Sequence, residues 1–207
     1  MTNTARMIGL GLALAAAPAV ADGGKYGKYE TPRYVVEQRI GDAELRLYDS
    51  HILARVTVSG SQRGALTDGF RVLAGYIFGG NEGSRSVAMT SPVTQSARID
   101  MTTPVTQSAA DENWTVTFMM PTEYTLDSLP KPKSGRITFE QVPARRMLVS
   151  AFSGLVPDTR LRRKSVALLN LAKLNAIATR GEPIYMFYDD PMTLPWNRRN
   201  EVGYLVE

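Results

Sequence analysis

Residues 44–77 read ELRLYDSHILARVTVSGSQRGALTDGFRVLAGYI, and the hydrophobic period changes once along them. Glu44–Tyr48 reads as a short strand. Ile52–Ser59 alternates, with Ala54, Val56 and Val58 on one face, the period-two signature of a half-buried strand. Gly60 breaks it, and Ser61 is placed to cap a helix. Leu66, Phe70, Leu73 and Ile77 then fall at i, i+4, i+7 and i+11, one helical face, until Gly79-Gly80-Asn81 stops the run. Shifted by 94, the stretch lands on Thr138–Leu171, which has the same order of strand, turn, strand, Ser-Gly and helix. Val58-Ser59-Gly60 falls on Phe152-Ser153-Gly154. One such half cannot bury both faces of its sheet; two together can. The expected fold is therefore α+β: a distorted antiparallel β-barrel from two pseudo-twofold-related ββαββ-like halves, with two helices packed outside.

Working outward, Tyr34–Ile40 precedes the first half as a strand, with Gly41-Asp42 as its turn. Further strands are expected near Arg85–Thr90 and Arg98–Thr103, then at Trp114–Met120, where Trp114, Val116 and Phe118 alternate with threonines and Met119. Pro121–Gly135, with Pro130 and Pro132, reads as a loop crossing between halves. Arg136–Val142 and Arg146–Phe152 are strands, and a helix is expected from about Asp158, as cap, to Arg180, with Gly181 as its stop. Ile184–Tyr188 and Val202–Val206 close the chain. Met89–Ala97 recurs almost unchanged as Met101–Ala109, and Pro92 and Pro104 confine these copies to edges or strand ends. Gly64, Gly69 and Gly75 sit inside the first helix at about 1 kcal/mol each relative to Ala. Either packing absorbs that cost, or a flat ligand or another backbone comes close.

The chain has 207 residues, a formal net charge of +4, one histidine and no cysteine. Arg6 precedes an apolar run, Ile8–Val20, and Ala19-Val20-Ala21 fits the small-residue rule for signal-peptidase cleavage. Residues 1–21 are read as a signal peptide, 22–33 as a flexible leader and 34–207 as a single domain, periplasmic or secreted, with no stable membrane span after cleavage. Lys and Arg are scattered apart from Arg160, Arg162, Arg163 and Lys164, a solvated helix face that does not indicate a nucleic-acid partner. Without cysteine there is no disulfide framework, thiolate site or covalent c-type haem attachment. One histidine excludes a His-rich metal site, and no phosphate loop or nucleophile elbow is present. Asp189-Asp190 and Asp111-Glu112 read as turn residues, so no catalytic constellation is visible and the chain is expected to bind, not to catalyse. Met89, Met101, Met119 and Met120, in or beside strands, suit a flat apolar ligand or serve as core filling. Phe70, Tyr76 and Phe78 lie on the first helix with Arg63 and Arg71 nearby, an apolar face flanked by guanidinium groups.

Several segments, in order and spacing, resemble the SOUL haem-binding family: Glu44–Tyr48, Gly69-Phe70, Tyr76–Asn81, Met89-Thr-Ser-Pro-Val93 with its second copy, Phe152–Gly154, Asp190-Pro191 and Asn197–Glu201. The resemblance spans roughly Tyr34 to Glu207. It implies non-covalent haem or related tetrapyrrole binding in an apolar cleft beside the first helix, for trafficking or buffering. By position, Leu66, Phe70, Leu73 and Ile77 become wall or supporting core, and Arg63 and Arg71 partners for the propionates. Some animal members carry a proposed axial His where this chain has Leu47; His51, four residues on, is the candidate metal ligand here, read otherwise as a turn histidine. Lysines of some members correspond to Gly75 and Leu194. Two alternatives stay open: an enzyme on the same scaffold acting on haem or another small molecule, and a protein-interaction module with a vestigial cleft. In either binding case the partner is a tetrapyrrole or another flat apolar molecule.

Overall fold

A computed structural model describes residues 21–97, 113–190 and 192–207. Ten strands form one antiparallel sheet: β1 (Ala21–Tyr26), β2 (Tyr29–Ile40), β3 (Ala43–Tyr48), β4 (His51–Ser59), β5 (Val93–Ala97), β6 (Asn113–Met119), β7 (Thr138–Val142), β8 (Arg145–Phe152), β9 (Thr179–Phe187) and β10 (Asn200–Val206). Helix α1 (Gln62–Ile77) and helix α2 (Asp158–Leu174) complete an α+β fold. The strand order is β1-β2-β3-β8-β10-β9-β5-β6-β4-β7, and the sheet curls into a half-barrel. Leaving aside β1 and β2 at one edge, exchanging β3, β4, β5 and β6 for β7, β8, β9 and β10 leaves the order of the remaining eight strands reading the same from the other end. Strand β3 pairs with β8, and β7 with β4.

The two Ser-Gly corners are built alike. Gly60 and Gly154 both have left-handed φ, 119° and 100°, where a side chain would be strained. The carbonyl of Gly60 accepts from Trp114 Nε1 and that of Gly154 from Asn200 Nδ2, both at 3.0 Å, so β6 and β10 each tie down the turn that launches a helix. Helix α1 then packs across β4 and β6, and α2 across β8, β9 and β10. Between helices and sheet lies the main core, with Ala54, Val56, Leu73, Ile77, Val116, Phe118, Leu148, Leu161, Leu168 and Val202. Ser61 caps α1, its Oγ accepting from Gly64 N at 3.3 Å. The buried face of α1 runs through Ala65, Gly69, Leu73, Tyr76 and Ile77, so Leu66 and Phe70 sit at its margin. Gly69 is the close approach: a Cβ there would lie 2.6 Å from Val116 Cβ, whereas one at Gly75 would meet nothing within 4 Å.

Four expectations are corrected. Part of the leader, residues 22–33, is strand: β1 and β2 form a hairpin around Gly27, whose φ of 57° makes the turn. Arg85–Thr90 makes only single bridges, Phe78 with Ser86 and Glu30 with Thr90. The strand expected there begins after Pro92, as β5, because Pro92 cannot donate to a ladder. Helix α2 starts behind Pro157 with Asp158 as its first residue, and it ends at Leu174 instead of Arg180. Its stop is a Schellman turn: Ile177 N donates to Ala172 O at 2.9 Å and Ala176 N to Lys173 O at 3.2 Å, with Ala176 at φ 53°. Residues 98–103, Met101 and the second copy of the Met-Thr repeat lie outside the described residues, as does most of the signal segment. Among the described residues no helix is long and apolar enough to cross a membrane.

Candidate binding cleft

Strand alternation gives the sheet a second, helix-free face. On β4, Ile52, Ala54, Val56 and Val58 point to the helices, and His51, Leu53, Arg55 and Thr57 to the other side. The helix-free face holds its own apolar clusters: Tyr34, Tyr48, Met147, Val149, Met186 and Tyr188 in one, Leu53, Met119 and Val142 in another. Because the sheet curls, β3 and β8 face β4 across a cleft, although four strands separate β8 from β4 in the order. Its walls include His51, Leu53, Met119, Arg145, Met147 and Met186. It encloses about 40 Å³ within a concavity of about 470 Å³ counted to its open mouth. Gly203 makes room in its floor; a Cβ there would lie 2.8 Å from Met147 Cε and 3.3 Å from Met186 Cε.

His51 opens β4 and is half-buried. Its Nδ1 lies 2.7 Å from the carbonyl oxygen of Asp49, a hydrogen bond only if Nδ1 carries the proton. Nε2 then keeps a lone pair and, among the described residues, has no protein partner. Burial holds the imidazole below its usual pKa, against the Asp49 carbonyl, and Arg145 adds to the lowering. A neutral ring oriented through one nitrogen, with the other free, is the arrangement of a metal-ligating histidine.

Behind the cleft lies a buried ionic network. Glu201 is fully buried and accepts from Arg46 Nη1 at 3.0 Å, Arg46 Nη2 at 3.2 Å, Arg199 Nη2 at 2.7 Å and the Tyr188 hydroxyl at 2.8 Å. Burial works to raise its pKa, but the two guanidinium groups outweigh it and hold the carboxylate below its usual range. Arg46 Nη1 also donates to the Tyr48 hydroxyl at 3.0 Å. Both cleft tyrosines are thus fixed from behind. Burial, reinforced by Glu201, raises both phenol pKa values, so they stand in the cleft as neutral phenols.

The residues singled out from sequence fall on both sides of the sheet. Leu73 and Ile77 are 0% and 1% exposed and form supporting core beneath α1. Phe70 stays 36% exposed, its ring 5.5 Å from Phe118, and Leu66 is half-buried. Arg63 and Arg71 are exposed, and Arg71 pairs with Asp68 at 2.9 Å. None of these six lines the cleft. His51 does, and it is not a free turn histidine. Of the methionines noted from sequence, Met119 lines the cleft, while Met89 and Met120 pack in the helix-side core. Arg145, Met147, Met186 and Tyr188 were missed. Their signal is an apolar residue on both faces of a strand: Met147 beside Leu148, Met186 beside Tyr185, Leu53 beside Ala54.

A curled antiparallel sheet backed by two helices, with an apolar cleft on its free face, defines an α+β module. Among solved structures, this chain is similar to the EcmrR C-terminal domain (TM-score 0.58, 13% identity, 80% of this chain and 96% of that one). It is also similar to an uncharacterized conserved protein from Listeria innocua (TM-score 0.56, 9% identity, 80% and 92%) and to a hydrolase from Listeria innocua (TM-score 0.54, 9% identity, 80% and 92%). At these identities the likeness is one of fold. No curated protein sequence matches this chain. The model of the SOUL heme-binding protein family matches residues 29–205, nearly the whole chain, and the protein belongs to that family.

Haem, the group implied by the family, fits the cleft in kind. His51 supplies a neutral nitrogen donor, Met119, Met147 and Met186 supply polarizable apolar walls, and Arg145 has a buried Nε with no hydrogen-bond partner. The enclosed 40 Å³ is room for a few waters, so a macrocycle would need the thioether side chains to turn aside. Methionine, unbranched with three rotatable bonds, permits that at low cost. Among the described residues no group of three His, Cys, Asp or Glu side chains stands ready for a bare metal ion.

Proposed function

We propose that this protein binds haem or a related tetrapyrrole non-covalently in the cleft on the helix-free face, for trafficking or buffering, where His51 Nε2 would hold the iron. The observation that carries the reading is the His51–Asp49 hydrogen bond of 2.7 Å at the edge of an apolar cleft. When bound, haem would supply a Lewis-acidic iron. The protein's part is to present an unprotonated nitrogen, to surround the ring with Met119, Met147 and Met186, and to keep Tyr48 and Tyr188 protonated. Export through cleavage near Ala21 is part of the proposal, and the mass of the protein recovered from a periplasmic fraction tests it. Ligand binding to the native state alone stabilises it by about 2.7 kcal/mol at a hundredfold excess over Kd. At roughly 2–4 °C per kcal/mol for a domain of this size, haemin should raise the melting temperature by about 5–10 °C. An unchanged melting curve, with a free-haemin spectrum throughout, would remove the tetrapyrrole reading.

A further inference from the structure

At one end of the sheet Val93, Phe187, Asn200 and Phe152 stand side by side on β5, β9, β10 and β8. Ala97 and Asn113, which flank the undescribed residues 98–112, lie at the other end of their strands. Two turns leave the Phe152 end: Gly154 and Leu155 lead from β8 to α2, and residues 188–199 lead from β9 to β10. The second turn is tied down from within. Asp190 Oδ1 accepts from Met192 N at 2.7 Å and Thr193 N at 3.1 Å, and Asp189 Oδ2 accepts from Arg199 N at 2.6 Å. Arg198 Nε donates to Thr193 O at 2.7 Å, and Asn197 N to Leu194 O at 2.9 Å, beside the short 3-10 helix Pro195–Asn197. Thr193 and Pro195 are half-buried, while the residues alternating with them, Met192, Leu194 and Trp196, are 89%, 52% and 68% exposed. A backbone fixed this way holds three large apolar side chains out in water.

The first turn abuts this loop. Gly154 O accepts from Asn200 Nδ2 at 3.0 Å, and Asn200 is three residues, at most about 11 Å of chain, past Asn197. Leu155 adds a fourth large apolar side chain, 56% exposed. Cations stand next to it. Arg160 Nη1 donates to Leu155 O at 3.0 Å, and Arg160 and Lys164 hold their charges 5.7 and 5.5 Å from the Phe152 ring centre. Arg163 is exposed on the same helix. Among the described residues none of these three pairs with a carboxylate. Helix α2 carries Arg160, Arg162, Arg163, Lys164 and Lys173 against one acid, Asp158, and the two acids of the loop, Asp189 and Asp190, are turned to its own backbone N–H groups.

We propose that this end of the molecule docks on an anionic lipid surface, with Leu155, Met192, Leu194 and Trp196 entering the headgroup layer and Arg160, Arg163 and Lys164 facing the phosphates. A bilayer answers both features at once: apolar side chains pass between headgroups, tryptophan settles at their level, and cations meet negative charge. A nucleic acid would answer the cations but leave Met192 and Leu194 in water. The inference is independent of what the cleft holds.

Vesicles of phosphatidylcholine, alone and mixed with phosphatidylglycerol, test it by co-sedimentation and by tryptophan emission. The chain has two tryptophans and Trp114 is 7% exposed, so a change in emission reports Trp196. Mixed vesicles should sediment the native chain and shift its emission to shorter wavelength. Trp196→Ser should bind them about tenfold more weakly, the loss expected for a buried aromatic side chain. Arg163→Gln should bind about fivefold more weakly, and added salt should remove that difference. Both side chains are exposed, so both variants keep the fold, and all three proteins share the apolar run Ile8–Val20. An emission spectrum unchanged by vesicles, or equal sedimentation of native chain and both variants, would overturn the docking surface. Equal affinity for the two vesicle compositions would overturn the requirement for anionic lipid.

Discussion

Two glycines of α1 give a prediction with opposite signs. Gly69 faces Val116, which is fully buried, and an added Cβ would stand 2.6 Å from both Val116 Cβ and Cγ2. A Val Cβ cannot swing aside as a long side chain can, so the helix must lift from β6. Overpacking of this kind costs about 1–3 kcal/mol, here about 2–3 because the clashing Cβ cannot move, partly offset by about 1 kcal/mol of helix propensity gained over glycine. Gly69→Ala should therefore be destabilised by roughly 1–2 kcal/mol, and its melting temperature should fall by roughly 3–8 °C. Gly75 has open space where its Cβ would go, so Gly75→Ala should gain about 0.5–1 kcal/mol and melt about 2–4 °C higher. Thermal unfolding followed by circular dichroism measures both. A haemin titration of Gly75→Ala adds a functional reading: the cleft lies on the other face of the sheet, so affinity should not change. A Gly69→Ala protein as stable as the native one would refute the close packing. Loss of haemin binding in a well-folded Gly75→Ala would move the ligand back beside the helix.

Three further outcomes follow from the site. Glu201→Gln leaves Arg46 and Arg199 facing an amide; breaking a buried ionic cluster costs about 3–5 kcal/mol, read as a lower urea midpoint. Because the folded-state pKa of Glu201 is depressed, its contribution is complete above the unfolded pKa, about 4.3, and disappears as pH falls below it. Between pH 5 and 3 the native protein should thus lose stability more steeply than Glu201→Gln, and parallel profiles would contradict the network's role. Gly203→Ala pushes a Cβ against the ends of Met147 and Met186, which can move, so the fold should hold within about 1.5 kcal/mol while the narrowed cleft binds haemin more weakly; undiminished binding would count against this cleft.

The architecture was legible because its two signals are local. Period-two alternation in Ile52–Ser59 marks β4 and the i, i+4, i+7 spacing marks α1, and Gly60 and Gly154 each stand between a strand and a helix. What was illegible depends on partners distant in sequence. The Schellman stop of α2 uses Ala176 where the pattern rule looks for glycine, so the helix was drawn through to Arg180. β1 earns its place by pairing with β2 and by an edge-to-face contact between Tyr26 and Tyr188, 5.2 Å apart, which composition cannot show. The cleft left little mark in the sequence for a related reason. An amphipathic helix advertises its apolar face, but in α1 that face is used up against β4 and β6. The cleft is assembled by sheet curl from single apolar residues on the less apolar faces of several strands, each unremarkable in its own strand. His51 was noticed as the one histidine, while the Asp49 carbonyl that orients it is a backbone group and leaves no trace in residue type.

The most direct test of the account compares haemin titrations of the native chain, His51→Ala and Phe70→Ala by Soret absorbance. The account predicts saturable binding with a shifted Soret band in the native protein. His51→Ala should lose at least about tenfold in affinity or show a changed band position, since the proposed iron ligand is removed. Phe70→Ala should bind as the native chain does. The opposite pattern, an unchanged His51→Ala and a weakened Phe70→Ala, would contradict the cleft on the helix-free face and place the ligand against α1.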